Sequence, residues 1–335
     1  MRVMVTGGAG FVGSHICVAL AEVGHTPVIV DTFVNAKQDV PERIGRITGQ
    51  QPAVFDVDIR DGAGLDELFS AARYDVVIHC AAFKAVGESV AKPLDYYDNN
   101  VDGTIALLKA MDRHDVRRLV FSSSATVYGD PDSVPVTEAS PVGRATNPYG
   151  WTKVMMEQVI ADLYRSDPRW SMAILRYFNP VGAHPSGLIG EDPMGIPTNL
   201  MPFIAQVAAG RLDKLEIFGG DYPTVDGTGV RDFIHVADAA EGHTAVLGAL
   251  SEPGAWLVYN LGTGRGTSVL EMVAAFETAT GVEVPYEIVA RRPGDVPETW
   301  AAVDRAEVDL GWKATRTVED MCADMWRWQR SDYAG

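Results

Sequence analysis

The stretch Val3-Met4-Val5-Thr6-Gly7-Gly8-Ala9-Gly10-Phe11-Val12-Gly13 decides the fold. Its apolar start reads as a short buried strand, and past the glycines an amphipathic run continues through Ala21 to Gly24 as a helix. Strand, glycine turn and helix in that order make a phosphate cradle. Gly7, Gly10 and Gly13 let the backbone approach a pyrophosphate, whose charge is met by amides of the helix that opens at Phe11 and Val12. A glycine triplet alone is weak evidence. Here the next strand, Val28-Ile29-Val30, ends in Asp31, about the distance at which a carboxylate binds the adenosine ribose. Asp31 repels a 2′-phosphate, and Thr32 and Phe33 offer no cation to hold one, so the expected cofactor is NAD rather than NADP.

Outward from this stretch, strands and helices alternate. Ala53 to Asp56, Val76 to Cys80 and Leu119 to Ser122 are short apolar runs, separated by helix-like segments around Leu65 to Ala72 and Asn99 to Met111. The rhythm predicts an α/β fold: a Rossmann-type doubly wound parallel sheet, with its ligand at the C-terminal ends of the strands. Asp58-Ile59, Ala81-Ala82-Phe83-Lys84 and Ser122-Ser123-Ser124 each follow a strand. Singly, each reads as ordinary strand-end turn chemistry. Their shared edge favours one crevice for cofactor and substrate.

A further stretch, Asn147-Pro148-Tyr149-Gly150-Trp151-Thr152-Lys153, opens a helix-like run through Leu163. Tyr149 and Lys153, four positions apart, share one helix face and can reach the same reacting group. A cation beside a phenol favours the phenolate and brings it toward use as a base. Taken alone, the pair is also consistent with a packed Tyr and an exposed Lys.

The remainder differs in texture. After Asn179-Pro180 come a Gly- and Pro-rich loop (Val181 to Pro197), a helix-like run at Leu200 to Ala209 and shorter strands such as Leu257 to Leu261. Residues 1–180 are expected to form an NAD-binding Rossmann domain and 181–335 a smaller α/β substrate-binding domain, with part of 224–250 returning to the first. His235, between Ile234 and Val236, reads as a packed structural histidine.

Composition bounds the rest. With 335 residues, 47% hydrophobic and 22% charged, the chain reads as an ordinary globular protein of about two domains. No apolar run approaches the ~20 residues needed to span a bilayer, and the N-terminus lacks the pattern of a signal peptide. A net charge of -17 argues against a nucleic-acid partner, which needs a basic face. Cys17, Cys80 and Cys322 are odd in number and widely spaced, as reduced core thiols are. There are no repeats and no metal-spaced His/Cys sets. A cytoplasmic, metal-free enzyme follows as the expectation.

Long strings then carry a resemblance. Val3 to Gly8, Lys84-Ala85-Val86-Gly87-Glu88-Ser89, Tyr96-Tyr97-Asp98-Asn99-Asn100, Phe121 to Gly129, Arg176 to Gly187, Gly190-Glu191-Asp192-Pro193 and Asp226 to Arg231 resemble the UDP-glucose 4-epimerases, galactose-pathway members of the extended short-chain dehydrogenase/reductase superfamily, over almost the whole chain. The resemblance implies that Tyr149 takes the proton from the sugar's 4-hydroxyl, that Lys153 bonds the nicotinamide ribose and depresses the Tyr149 pKa, and that Ser124 bonds the 4-oxygen and relays the proton. It adds Asn35, Asp58, Ile59, Lys84, Asn99 and Phe178 to the NAD contacts. UDP-sugar contacts implied are Lys84, Ser124, Tyr149, Tyr177, Asn179, Asn199, Leu200, Phe218, Arg231, Arg292 and Asp295, with Thr299 beside the sugar's 2-substituent. It also implies a homodimer through the helices near Asn99 to Met111 and Tyr149 to Tyr164.

Departures matter as much. Trp151 stands where a polar or basic residue is more usual and is expected to pack or to meet another subunit. Cys80, Ala82 and Phe83 vary the usual loop near the nicotinamide. Thr299 replaces the Tyr of members restricted to glucose and galactose, which leaves room for an acetamido group and extends the expected substrates to UDP-N-acetylhexosamines. Two other readings compete. A nucleotide-sugar 4,6-dehydratase needs acids that Ala125-Thr126 cannot supply, and a non-catalytic NAD-binding protein has no use for Ser124, Tyr149 and Lys153 together.

Overall fold

The structure, a computed structural model, describes residues 1–192, 197, 199–292 and 294–334. Pro193 of the string quoted above, and residues 194–196 of the loop that contains it, lie outside the described residues.

In chain order the first part runs β1 (Arg2–Thr6), α1 (Phe11–Glu22), β2 (Thr26–Val30), α2 (Val40–Thr48), β3 (Ala53–Phe55), α3 (Gly62–Ala71), β4 (Val76–His79), α4 (Val86–Ala91), α5 (Pro93–Tyr96), α6 (Gly103–Arg113), β5 (Arg118–Ser124), α7 (Pro148–Ser166) and β6 (Ser171–Tyr177). There follow β7 (Asn179–Val181), α8 (Leu200–Ala208), β8 (Leu215–Phe218), β9 (Val230–Arg231), β10 (Phe233–His235), α9 (Val236–Ala249), β11 (Trp256–Leu261), β12 (Thr267–Ser268), α10 (Val269–Thr280), β13 (Tyr286–Val289), β14 (Glu298–Thr299), α11 (Asp304–Leu310) and α12 (Val318–Gln329). A π-helical turn, Tyr97–Asp102, leads into α6.

Seven strands form one sheet in the order β11-β6-β5-β4-β1-β2-β3, with every neighbouring pair parallel. A parallel sheet is covered on both faces, which is why its strands are nearly continuous apolar runs. Along β1 the side chains alternate: Val3 and Val5 join the core under α1, α2 and α9, whereas Met4 joins the core under α3, α6 and α7. Chain order reverses between β1 and β4, and there the loop after β1 meets the loop after β4. A Cβ on Gly7 would lie 2.8 Å from the Ala81 backbone, and its φ of +69° is one that L side chains avoid. Doubly wound sheets bind ligands at such a switch point.

Sequence reading counted Leu257 to Leu261 among the strands of the second half. The structure places it otherwise: β11 pairs with β6 from Trp256 to Leu261 and forms the edge of the large sheet. The physical reason is its two apolar faces, since Tyr259 and Leu261 pack into one core and Trp256 and Val258 against the other. Among the described residues the second half keeps three small sheets, β10-β7, β12-β9-β14 and β13-β8, over a core that includes Met201, Ile204, Phe276 and Trp328.

Candidate active site

The glycine cradle is built as its sequence requires. A Cβ on Gly13 would meet the carbonyl oxygen of Gly7 at 2.1 Å, so the start of α1 is pressed against the turn after β1 and its free amides open onto the crevice. At the end of β2, Asp31 accepts Ala9 N–H through Oδ2 and Phe33 N–H through Oδ1, both at 3.0 Å. Burial pushes its carboxyl up while these backbone bonds pull it down. Each oxygen keeps a lone pair for a ribose hydroxyl. This cradle, closed to any side chain and flanked by a fixed carboxylate, fits a dinucleotide.

The other expected cofactor residues are distributed around that cradle. Val12 packs on the core, and the Phe11 ring lies 5.4 Å from that of His15. Asn35 is exposed on the loop after β2. Asp58 pairs with Arg60 at 2.6 Å, which holds its carboxyl low, and Ile59 is buried against Gly103. Asn99 donates to Asn100 Oδ1 at 3.0 Å. Phe178 is buried in a cluster with Val127, Tyr128, Val136 and Ala301.

The reacting groups come from β5 and α7. Asn147 caps α7, accepting Gly150 N–H at 3.0 Å, and Pro148 opens it, so the helix starts where the Asn-Pro pair places it. Tyr149 and Lys153 are both buried on its inner face. Lys153 Nζ donates to the Ser122 carbonyl at 2.7 Å and sits 4.8 Å from the centre of the Phe121 ring. Burial brings its ammonium down to about 8, with Cys80 and Glu157 working the other way.

Burial raises the Tyr149 phenol, and the Ser124 hydroxyl beside it is the group that pulls it down. Desolvation is the larger influence on Tyr149. Tyr177, at the end of β6, is also pushed up by burial, with Tyr149 and Cys80 adding to the rise.

Across the crevice lies the nucleotide side. Arg231 on β9 has a half-buried guanidinium held to the Val230 carbonyl at 2.8 Å, its pKa lowered by desolvation and raised by Asp295. Arg292 pairs with Asp295 at 3.2 Å and lies 4.8 Å from the centre of the Phe218 ring. Thr299 is partnered in register with Arg231. Asn179 donates to the Asp232 carbonyl at 3.1 Å, and Asn199 precedes Leu200, the first residue of α8. Lys84 bridges to Glu191 at 2.6 Å. Guanidinium groups suit a diphosphate because their planar forks match its oxygens.

Sequence reasoning missed several residues that hold these groups. Glu157, one turn beyond Lys153 on the same face, accepts Ser123 Oγ at 2.5 Å and Arg176 Nη2 at 2.6 Å in a buried pair. The i, i+4, i+8 spacing of 149, 153 and 157 was the available signal. Asn100 accepts Phe83 N–H at 2.8 Å and donates to Thr152 Oγ1 at 3.0 Å, joining the loop after β4 to α7. Asp232 accepts Thr263 N–H at 2.8 Å, Gly264 N–H at 3.1 Å and Ala301 N–H at 3.1 Å, and no local pattern announces it. His235 is structural, as expected: its Nδ1 accepts Ala237 N–H at 3.0 Å and caps α9.

With this geometry in place, similarity to known proteins gains meaning. Residues 3–262 match the model of the NAD dependent epimerase/dehydratase family. A UDP-glucose 4-epimerase of Bacillus subtilis (strain 168) is 53% identical over 335 residues, covering 100% of this chain and 98% of that protein. A UDP-glucose 4-epimerase crystallised from Stenotrophomonas maltophila with bound NAD and formylated UDP-arabinopyranose is similar at a TM-score of 0.96 and 53% identity, covering 98% of each chain. One from Bifidobacterium longum, in complex with NAD+ and UDP, is similar at a TM-score of 0.95 and 50% identity, again covering 98% of each. The chain therefore belongs to the NAD dependent epimerase/dehydratase family, on the branch whose relatives are the UDP-glucose 4-epimerases.

Proposed function

We propose that this chain interconverts UDP-glucose and UDP-galactose by reversible oxidation at carbon 4. The observation that carries the reading is the convergence of Ser124, Tyr149 and Lys153 at the strand edge beside the glycine cradle, opposite the Arg231 and Arg292 pair. NAD, when bound, supplies a hydride acceptor that returns the same hydride. The Tyr149 oxygen takes the proton of the 4-hydroxyl and gives it back, and the Ser124 hydroxyl bonds the same oxygen and passes the proton along. Lys153 holds the nicotinamide ribose and adds positive charge. Arg231, Arg292, Asn179, Asn199 and Phe218 hold the nucleotide while the sugar turns to offer its other face. A firm grip on UDP and a loose one on the hexose is what such a turn requires.

The catalytic half is taken as residues 1–180 with α9 and β11 returned to it, and the rest of 181–335 as the nucleotide half. Exposed apolar side chains at Trp151 and Met155 support α7 as part of the homodimer face expected along the helices near Asn99 to Met111 and Tyr149 to Tyr164, with Val90 (64%) and Leu94 (79%) of α4 and α5 also exposed. Among the described residues no helix is long and apolar enough to cross a membrane. The free thiols at Cys17, Cys80 and Cys322 support a cytoplasmic location.

The test supplies UDP-galactose to the purified chain without added NAD. Formation of UDP-glucose with no net NADH supports the reading; a 4-keto-6-deoxy product or no turnover contradicts it. Substrate breadth is set at Thr299: the wild type is expected to turn over UDP-N-acetylglucosamine, and Thr299→Tyr to lose that activity at least about tenfold while keeping the plain sugar, a steric discrimination of ordinary size. Absence of acetamido-sugar turnover by the wild type would sink this part.

A further inference from the structure

Glu191 has no role in the reaction as proposed, yet one of its oxygens gathers Asn199, which holds the nucleotide in that reaction, and Lys84, a ligand contact that the resemblance implies. Oε1 accepts Lys84 Nζ at 2.6 Å and Asn199 Nδ2 at 2.7 Å. Lys84 follows β4 in the catalytic half, and Asn199 stands at the head of α8 in the nucleotide half. The acceptor is buried and both donors are exposed: the side chain of Glu191 is 6% accessible and that of Lys84 54%. The carboxylate is also firmly mounted. Its carbonyl oxygen accepts Trp328 Nε1 at 3.0 Å, and a Cβ on Gly190 would lie 2.5 Å from the Trp328 ring, so the 190–191 backbone lies directly on that indole. Trp328 is itself buried, with the Arg43 guanidinium 5.9 Å from its ring centre.

A buried carboxylate beside a diphosphate site repels the ligand unless its charge is used locally. Here it is used on two donors, one from each half of the chain. We propose that Glu191 is a positioning residue, a latch that holds Lys84 and Asn199 in the geometry that receives the nucleotide sugar. This role rests on the assignment of Lys84 and Asn199 as ligand contacts. A rigid acceptor behind flexible donors removes their rotamer freedom before the ligand arrives, which lowers the cost of binding.

A double-mutant cycle on UDP binding tests it, read by titration calorimetry on the intact chain with thermal unfolding alongside. Glu191→Gln keeps the shape and removes the charge; it is expected to weaken UDP binding about five- to tenfold with kcat little changed. Asn199→Ala is expected to weaken binding to a similar extent, and the double variant to lose no more than about twofold beyond the weaker single, because both act on one contact. Losses that multiply in the double variant overturn the latch, as does wild-type UDP binding by Glu191→Gln beside a weakened Asn199→Ala. Neither result touches the proposed reaction. Wild-type UDP binding by both Lys84→Met and Asn199→Ala removes the assignment and the latch with it. Should Glu191→Gln fail to fold, the same cycle with Glu191→Asp, one methylene short, decides in the same way.

Discussion

The two walls of the crevice are made differently. On the catalytic side the chain presents mainly backbone: a glycine turn, the amides of α1, and strand ends whose positions follow from the parallel sheet. On the nucleotide side it presents side chains from strands of two to four residues, Arg231 from β9, Thr299 from β14 and Phe218 from β8, with the Arg292 loop beside them. A backbone site is fixed by the fold itself. A side-chain site on short strands needs separate carboxylates to hold it, and Asp232, Asp295 and Glu191 supply them.

This contrast can be broken at its strongest point first. Gly13→Ala places a Cβ 2.1 Å from the Gly7 oxygen, a clash with backbone that cannot move aside. A cost of about 3 kcal/mol and loss of NAD binding are expected, measured by denaturant unfolding and cofactor retention. A variant that keeps its NAD would show that the cradle is not set by backbone contact. On the other wall, Asp232→Ala strands half-buried donors at Thr263 and Gly264 and a buried one at Ala301. A loss of about 3 kcal/mol is expected, together with a weakened grip on UDP. Equal loss of NAD and UDP affinity would erase the distinction between the walls.

The smaller effect is acid lability. Burial lowers His15 and His79 to about 3 and His243 to about 4, and all three lie in α1, β4 and α9 of the catalytic half. The fold holds them neutral, whereas the unfolded chain protonates them near 6.5. Their contribution is therefore complete above pH 6.5 and is lost as pH falls from there toward 4 and 3, by up to about 1.4 kcal/mol per pH unit for each imidazole. Thermal unfolding followed from pH 7 to 4.5 is expected to show a steady fall in Tm. A flat Tm across that range would show that the folded chain protonates these rings as readily as the unfolded one.

Legibility follows the same division. The cradle was readable because Gly7, Gly13 and Asp31 sit at fixed spacing within one strand-helix-strand unit, and the sheet was readable because burial on two faces demands continuous apolar runs. Tyr149 and Lys153 were readable from helical spacing, and Glu157 could have been. Thr299 and Arg231 meet only through strand pairing across 68 residues of chain, so no local pattern links them. The misassigned strand β11 has the same cause: pairing with β6 is a long-range event, while its sequence neighbours belong to the second half. The upward shift of Tyr149 was hidden because desolvation depends on the assembled core and not on the distance to Lys153 along the helix.

Central to the account is Tyr149 as the group that moves the proton at carbon 4. Steady-state epimerisation of UDP-galactose by Tyr149→Phe, beside the wild type and with UDP affinity measured on both, tests it most directly. The account predicts a fall in kcat of at least about a thousandfold, the scale of a lost general base, with UDP binding preserved. A Tyr149→Phe enzyme running at the full wild-type rate would contradict it.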